Sequence, residues 1–264
     1  MSAAPNPVAR LQWQGQPLRL EYQWVGDMAS GAPVVVFLHE GLGSVSMWRD
    51  FPARFCTEHG FRGLVFSRYG YGQSTLRPAD ERWAPDFMHR QAHDVLPMLL
   101  AHLQIERPWL FGHSDGGSIA LLYASMFELA GIVVVAPHIV VEEVSITSIE
   151  QAREAYATTD LRSRLARHHA DPDSAFRGWN DVWLSPAFRA WNIKSELDNI
   201  RCPVLAVQGE DDEYGTLEQI RGIARHVPNT ELLVIPNCAH SPHRDQPETL
   251  SRAAGRFIHH HNIS

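Results

Sequence analysis

The sequence predicts an α/β fold, a mostly parallel eight-stranded sheet with helices on both faces and one inserted helical subdomain. Three observations predict it. Short β-branched apolar runs recur without the alternation of a half-exposed strand, which suits strands buried on both faces. Helical patterns lie between most of these runs. One interval, from about residue 139 to 200, keeps the helical texture but contains no strong strand.

The elements follow in order. Residues 9–25 alternate and carry aromatics, as in Leu18-Arg19-Leu20-Glu21-Tyr22-Gln23-Trp24, and read as an N-terminal hairpin. The buried strands are 34–38, 63–66, 109–111, 132–135, 204–207 and 232–235. Helical patterns occupy 47–59, 86–103, 117–127, 217–227 and 247–260. The expected division is a core of residues 1–138 and 196–264, with a helical cap inserted at 139–195.

Composition narrows the function. A chain of 264 residues, 44% hydrophobic and 20% charged, supports one large core without disulfides or metal. The net charge of −7 and the lack of any basic run argue against nucleic acid as a partner. Cys56, Cys202 and Cys238 fit neither a disulfide framework nor a zinc pattern, so a reducing cytoplasm is the expected compartment. Residues 1–7 lack an apolar signal core, and no run reaches membrane-spanning length. The expected partner is a small-molecule substrate, with no cofactor, metal or membrane. The oligomeric state is not legible. His259-His260-His261 reads as a polar tail.

Gly112-His113-Ser114-Asp115-Gly116 is a G-x-S-x-G run between the apolar 109–111 and a helical stretch. A strand feeding a helix through one tight turn projects the serine hydroxyl clear of the sheet, and the glycines permit the bend. A serine hydroxyl needs a base, and the base needs an orienting carboxylate. Sites on parallel sheets form at the carboxyl ends of strands. After 204–207 comes Gln208-Gly209-Glu210-Asp211-Asp212-Glu213, and after 232–235 comes Pro236-Asn237-Cys238-Ala239-His240-Ser241. His240 is therefore the candidate base and Asp212 the candidate orienter, with Asp211 as the alternative. Serine, acid and histidine stand in the order this nucleophile turn requires.

These motifs resemble those of the α/β-hydrolase superfamily over nearly the whole chain. His39-Glu40-Gly41-Leu42-Gly43-Ser44 is similar to the family's H-G-x-x-G oxyanion loop, and Ser67-Arg68-Tyr69-Gly70-Tyr71-Gly72-Gln73-Ser74 to its R-G-x-G-x-S turn. Gly209-Glu210-Asp211-Asp212 resembles its G-x-x-D acid loop, which favours Asp212 over Asp211. Ala239 stands where Gly often precedes the histidine. The strandless interval falls where the family carries its cap. The resemblance implies an eight-stranded α/β-hydrolase fold and a Ser114–His240–Asp212 triad. The implied activity is hydrolysis of a small ester, thioester or lactone through an acyl-enzyme. The amides of Asp115 and Gly41 are the expected oxyanion donors, with Leu42 the alternative to Gly41. Two departures stand out: Glu40 and Tyr69 each replace a usual glycine.

Other residues bear on substrate choice. Valacyclovir hydrolase-like members carry the same Ser-Asp-Gly-Gly, and in them the aspartate reads a substrate amino group. For Asp115 the alternative is a local bond at the helix N-terminus, where a carboxylate is stabilised. Trp179, Trp183 and Trp191 are expected to wall a substrate pocket, to fill the cap's own core, or both. His168-His169-Ala170-Asp171 does not present metal ligands on one face and reads as a helix end and loop. His113 reads as structural lining and Cys238 as packing. Carbon–carbon bond hydrolases of the meta-cleavage type usually have tryptophan after the catalytic histidine, and Ser241 stands there instead. A non-catalytic ligand-binding member of the fold is the remaining alternative.

Overall fold

The structure is a computed structural model that describes residues 5–28 and 31–262. Residues 1–4, part of the stretch read above as lacking a signal core, lie outside the described residues. The strands are β1 (Val8–Trp13), β2 (Gln16–Gly26), β3 (Val34–Leu38), β4 (Arg62–Phe66), β5 (Trp109–His113), β6 (Gly131–Val135), β7 (Val204–Gly209) and β8 (Thr230–Ile235). They form one sheet in the order β1-β2-β4-β3-β5-β6-β7-β8. β1 and β2 pair antiparallel as the expected hairpin, β2 meets β4 antiparallel, and all later pairings are parallel.

The apolar runs lack alternation because the sheet has a core on each side. Val36 and Leu38 pack into one core, while Val35 and Phe37 on the same strand pack into the other. Phe111, Val133 and Leu205 likewise oppose their neighbours Leu110, Val134 and Ala206. Successive side chains point to opposite faces, so every position must be apolar. One face is covered by α1 (Phe51–His59) and by α10 (Pro247–Asn262). The other is covered by α2 (Phe87–Arg90), α3 (Leu96–His102), α4 (Asp115–Ala124) and α9 (Glu218–His226).

Two expectations need correction. β8 is an edge strand covered on one face only, so Leu232 and Val234 are 44% and 40% exposed. The helix expected at 86–103 is interrupted by a π turn at Gln91–Val95. Pro97 in the first turn of α3 has no N–H to donate and crowds the preceding turn, and the wider π turn accommodates it.

Between β6 and β7 lie only helices: α5 (Glu143–Thr158), α6 (Leu161–Leu165), α7 (Pro172–Trp183) and α8 (Lys194–Leu197). The two ends of this insertion meet at an isolated bridge between Val140 and Asn192, beside Ile193 N–H donating to the Ile139 carbonyl at 2.9 Å. The strand order turns back at β3, between β4 and β5. Loops after β3 and β5 diverge there and leave a crevice at the carboxyl ends of the strands. Among the described residues, no helix is long and apolar enough to cross a membrane.

Candidate active site

Ser114 stands between β5 and α4 with φ 53° and ψ −121°, in the region that disfavours side chains. Such a conformation costs on the order of 1–3 kcal/mol and persists only when its surroundings enforce it. Here they do. The Ser114 amide donates to the Val135 carbonyl, and the Ser114 carbonyl accepts from Gly117 and Ser118. A Cβ on Gly112 would lie 2.2 Å from the Gly116 carbonyl oxygen, and one on Gly116 would lie 2.0 Å from the Leu38 carbonyl oxygen. Only glycine lets β5, α4 and β3 approach this closely.

The loops after β7 and β8 bring an acid and a base to the same crevice. His240 Nδ1 donates to Asp212 Oδ1 at 2.8 Å, which leaves Nε2 as the basic nitrogen. Asp212 also accepts from the Tyr214 amide and from Gln208 Nε2. Asp211, the sequence alternative, is exposed, and among the described residues no hydrogen bond joins it to His240. Burial by itself raises the Asp212 carboxyl, but the His240 contact and charge outweigh it and hold Asp212 below the usual carboxylate range. Burial by itself lowers His240, and Asp212 more than compensates, so its pKa lies above the ordinary histidine value. The His240 main chain is held at both ends: its amide donates to Glu213 and its carbonyl accepts from His113 Nε2 at 2.8 Å.

After β3, residues 40–43 form a tight turn closed by Gly43 N–H donating to the Glu40 carbonyl at 3.0 Å. The same carbonyl accepts from Arg68 at 2.8 Å and from His39 Nδ1 at 2.7 Å. The amides of Gly41, Leu42 and Asp115 have no protein acceptor among the described residues. Glu40 turns its carboxylate to Arg244 at 3.3 Å and towards His113 Nδ1 at 3.6 Å. Burial raises its carboxyl, and those two neighbours prevail and keep it ionised. A Cβ on Gly41 would lie 2.2 Å from Trp179 Nε1, so this glycine admits a tryptophan of the helical insertion.

Asp115 departs from both sequence alternatives. Its Oδ1 accepts from Trp183 Nε1 at 3.1 Å, and its Oδ2 lies 3.9 Å from the Arg68 guanidinium. The Asp115 and Arg68 side chains are both 1% exposed. The carboxylate makes no bond at the helix end; Trp183 takes Oδ1, while Oδ2 has no hydrogen-bond partner among the described residues and Asp115 borders the cavity beside Ser114. It joins the core to the insertion. Burial raises its pKa to about 6 even though Arg68 and Trp183 oppose the rise. The partners of Asp115 come from positions 47 residues before it and 68 after it. No local pattern could have found them.

Ser114, His240 and the 40–43 turn line one cavity of about 280 Å³. Trp179 and Trp183 line it too, whereas Trp191 stacks on Phe188 at 5.3 Å away from it. The insertion adds Ile149, Leu161 and Leu165, and the core adds Met47, His138 and Tyr214, none of which sequence reasoning singled out. Burial, helped by the charge of His240, depresses His138 to about 3 and keeps it a neutral wall. A larger depression of about 530 Å³ sits at the opposite end of the sheet, around Arg107, Phe127 and Pro203, remote from these groups. Asp171 caps α7 through the Ser174 amide at 2.9 Å. Among the described residues, no three His, Cys, Asp or Glu side chains converge as a metal site.

The model of the alpha/beta hydrolase family matches residues 35–253. The chain is 26% identical to the mouse protein "Serine hydrolase BPHL" over 259 residues, covering 91% of this chain and 83% of that protein. It is also 26% identical to "Bifunctional esterase/perhydrolase DCH" of Acinetobacter calcoaceticus, covering 86% of this chain and 92% of that one. A solved structure of a thermophilic esterase from Thermogutta terrifontis superposes with a TM-score of 0.74 at 20% identity, covering 97% of this chain and 99% of the other. That likeness speaks for the fold.

Proposed function

The chain belongs to the alpha/beta hydrolase family, and we propose that it is a cofactor-independent serine hydrolase of small carboxylic esters, with thioesters and lactones in the same electrophile class. One observation carries the reading. His240, bonded to Asp212, shares a cavity with a serine held at positive φ on a strand-to-helix turn. In this mechanism Ser114 Oγ attacks the acyl carbonyl while His240 Nε2 takes its proton. The oxyanion is met by the amide of Asp115 and by a free amide of the 40–43 turn, Gly41 or Leu42. One such donor is worth about 3–4 kcal/mol of barrier. His240 then protonates the leaving oxygen or sulfur, and an acyl-enzyme forms. Water, deprotonated by the same nitrogen, attacks the ester carbonyl and releases the acid and free Ser114. Asp212 fixes the tautomer and stabilises the imidazolium. The helical insertion acts as a cap, and its Ile149, Leu161 and Leu165 favour an apolar acyl group.

Trp183 takes Asp115 Oδ1 and the Arg68 guanidinium 3.9 Å from Oδ2 offsets its charge, which favours plain esters over amino-acid esters. The test is hydrolysis of p-nitrophenyl acetate and butyrate together with fluorophosphonate labelling. Both are expected in the wild type and lost in Ser114→Ala. An unlabelled, inactive wild type would reject the reading. Asp115→Asn is expected to affect plain and amino-acid esters alike. Selective loss on amino-acid esters would restore the carboxylate as a substrate reader.

A further inference from the structure

We propose that His169 is a positioning residue for the oxyanion turn, so that the helical insertion carries part of the catalytic machinery. The inference rests on the serine hydrolase reading above. His169 lies on the loop between α6 and α7 and is buried. Its Nδ1 receives the Gly72 amide at 3.0 Å, and its Nε2 contacts the Leu42 carbonyl at 2.9 Å. A backbone N–H can only donate and a carbonyl can only accept, so the ring is neutral, with its proton on Nε2.

Leu42 is a central residue of the 40–43 turn, whose amides face the reacting carbonyl in the proposed mechanism. The turn has two carbonyl handles. Arg68 and His39 grip Glu40 from the core, and His169 grips Leu42 from the insertion. Orienting the Leu42 carbonyl fixes the peptide plane it shares with Gly43, and Gly43 N–H closes the turn onto Glu40. Without that second handle, the amides of Gly41 and Leu42 are free to rock. Donors that must be in place before charge develops lose their advantage when they have to reorganise. The His169 loop is itself pinned. Ala170 N–H donates to the Gly72 carbonyl at 2.9 Å, and His168 Nδ1 meets Ser46 Oγ at 2.8 Å. His169 therefore relays the placement of the insertion to the turn.

Two variants separate this role from a merely structural one. In His169→Gln the amide N–H reaches the place of Nε2, so the donor to Leu42 is kept and the Gly72 contact is lost. In His169→Asn the side-chain oxygen takes the place of Nδ1, so the Gly72 contact is kept and the donor to Leu42 is lost. The assay is steady-state hydrolysis of p-nitrophenyl butyrate, with thermal melting alongside. The expected result is a kcat at least about tenfold lower in His169→Asn with KM within about twofold, and a kcat within about threefold of wild type in His169→Gln. Melting temperature is expected to fall in both. Equal loss of kcat in the two variants, or no loss in either, would overturn the proposal. An inactive wild type would overturn both this and the serine hydrolase reading, whereas an active wild type with unresponsive variants overturns this inference alone.

Discussion

Replacing Trp183 with phenylalanine removes one donor from a buried carboxylate, and the cost depends on pH. Trp183 Nε1 donates to Asp115 Oδ1 at 3.1 Å, with both side chains almost fully buried. A hydrogen bond to a charged group is worth about 1.5–3 kcal/mol, and one to a neutral group about 0.5–1.5 kcal/mol. At about 2–4 °C of melting temperature per kcal/mol, the bond alone is worth about 3–12 °C when Asp115 is ionised. Trp179→Phe is the control, because that indole borders the same cavity and donates no hydrogen bond to any described residue. Burial raises Asp115 to about 6, above its ordinary carboxylate value. A raised carboxyl contributes stability at low pH that is lost as pH rises through the folded value. Loss of the Trp183 donor raises that value further and deepens the loss. Trp183→Phe is therefore expected to be more destabilising than Trp179→Phe at pH 8, with the gap narrowing by about 1 kcal/mol or more at pH 5. Attraction to Arg68 is present in both proteins and cancels. Urea denaturation at the two pH values measures the gap. A gap that is absent at pH 8, or unchanged at pH 5, would refute the reasoning.

Other outcomes follow from the same geometry. Gly41→Ala places a Cβ 2.2 Å from Trp179 Nε1, and should lower kcat by about tenfold or more by displacing an oxyanion donor; adding Trp179→Ala should recover part of it, as steady-state kinetics would show. In Gly116→Ala the new Cβ meets the Leu38 carbonyl oxygen at 2.0 Å; because backbone cannot move aside, a loss of about 3 kcal/mol is expected in denaturant titration. Because Asp212 raises His240 above the ordinary histidine value, kcat/KM should climb as pH rises through that pKa and the base becomes neutral. The stability contributed by the raised His240 runs the other way, being present below about pH 6.5 and lost as pH rises through the folded pKa. Because burial alone lowers His240, Asp212→Asn should move the kcat/KM climb to lower pH and remove that loss of stability, which pH-rate profiles and melts at pH 6 and 8 would test.

The sequence determined what is local or periodic. The double-faced apolar runs announced a parallel sheet because alternate residues of one strand enter different cores, as Val35 and Val36 do. Gly112, Ser114 and Gly116 announced the strained strand-to-helix turn because such a bend needs those residue types at that spacing. Asp212 and His240 followed, since each sits just past an apolar run. Tertiary structure decided what depends on contacts between distant segments. It took Trp191 out of the cavity and left one face of β8 to solvent. It also tied Asp115 to Arg68 and Trp183, and His169 to Leu42 and Gly72. A carboxylate followed by two glycines has the same local propensities whether it faces a substrate or an indole from another helix. Only the docking of the insertion onto the strand ends selects between them, and no sequence period encodes that placement.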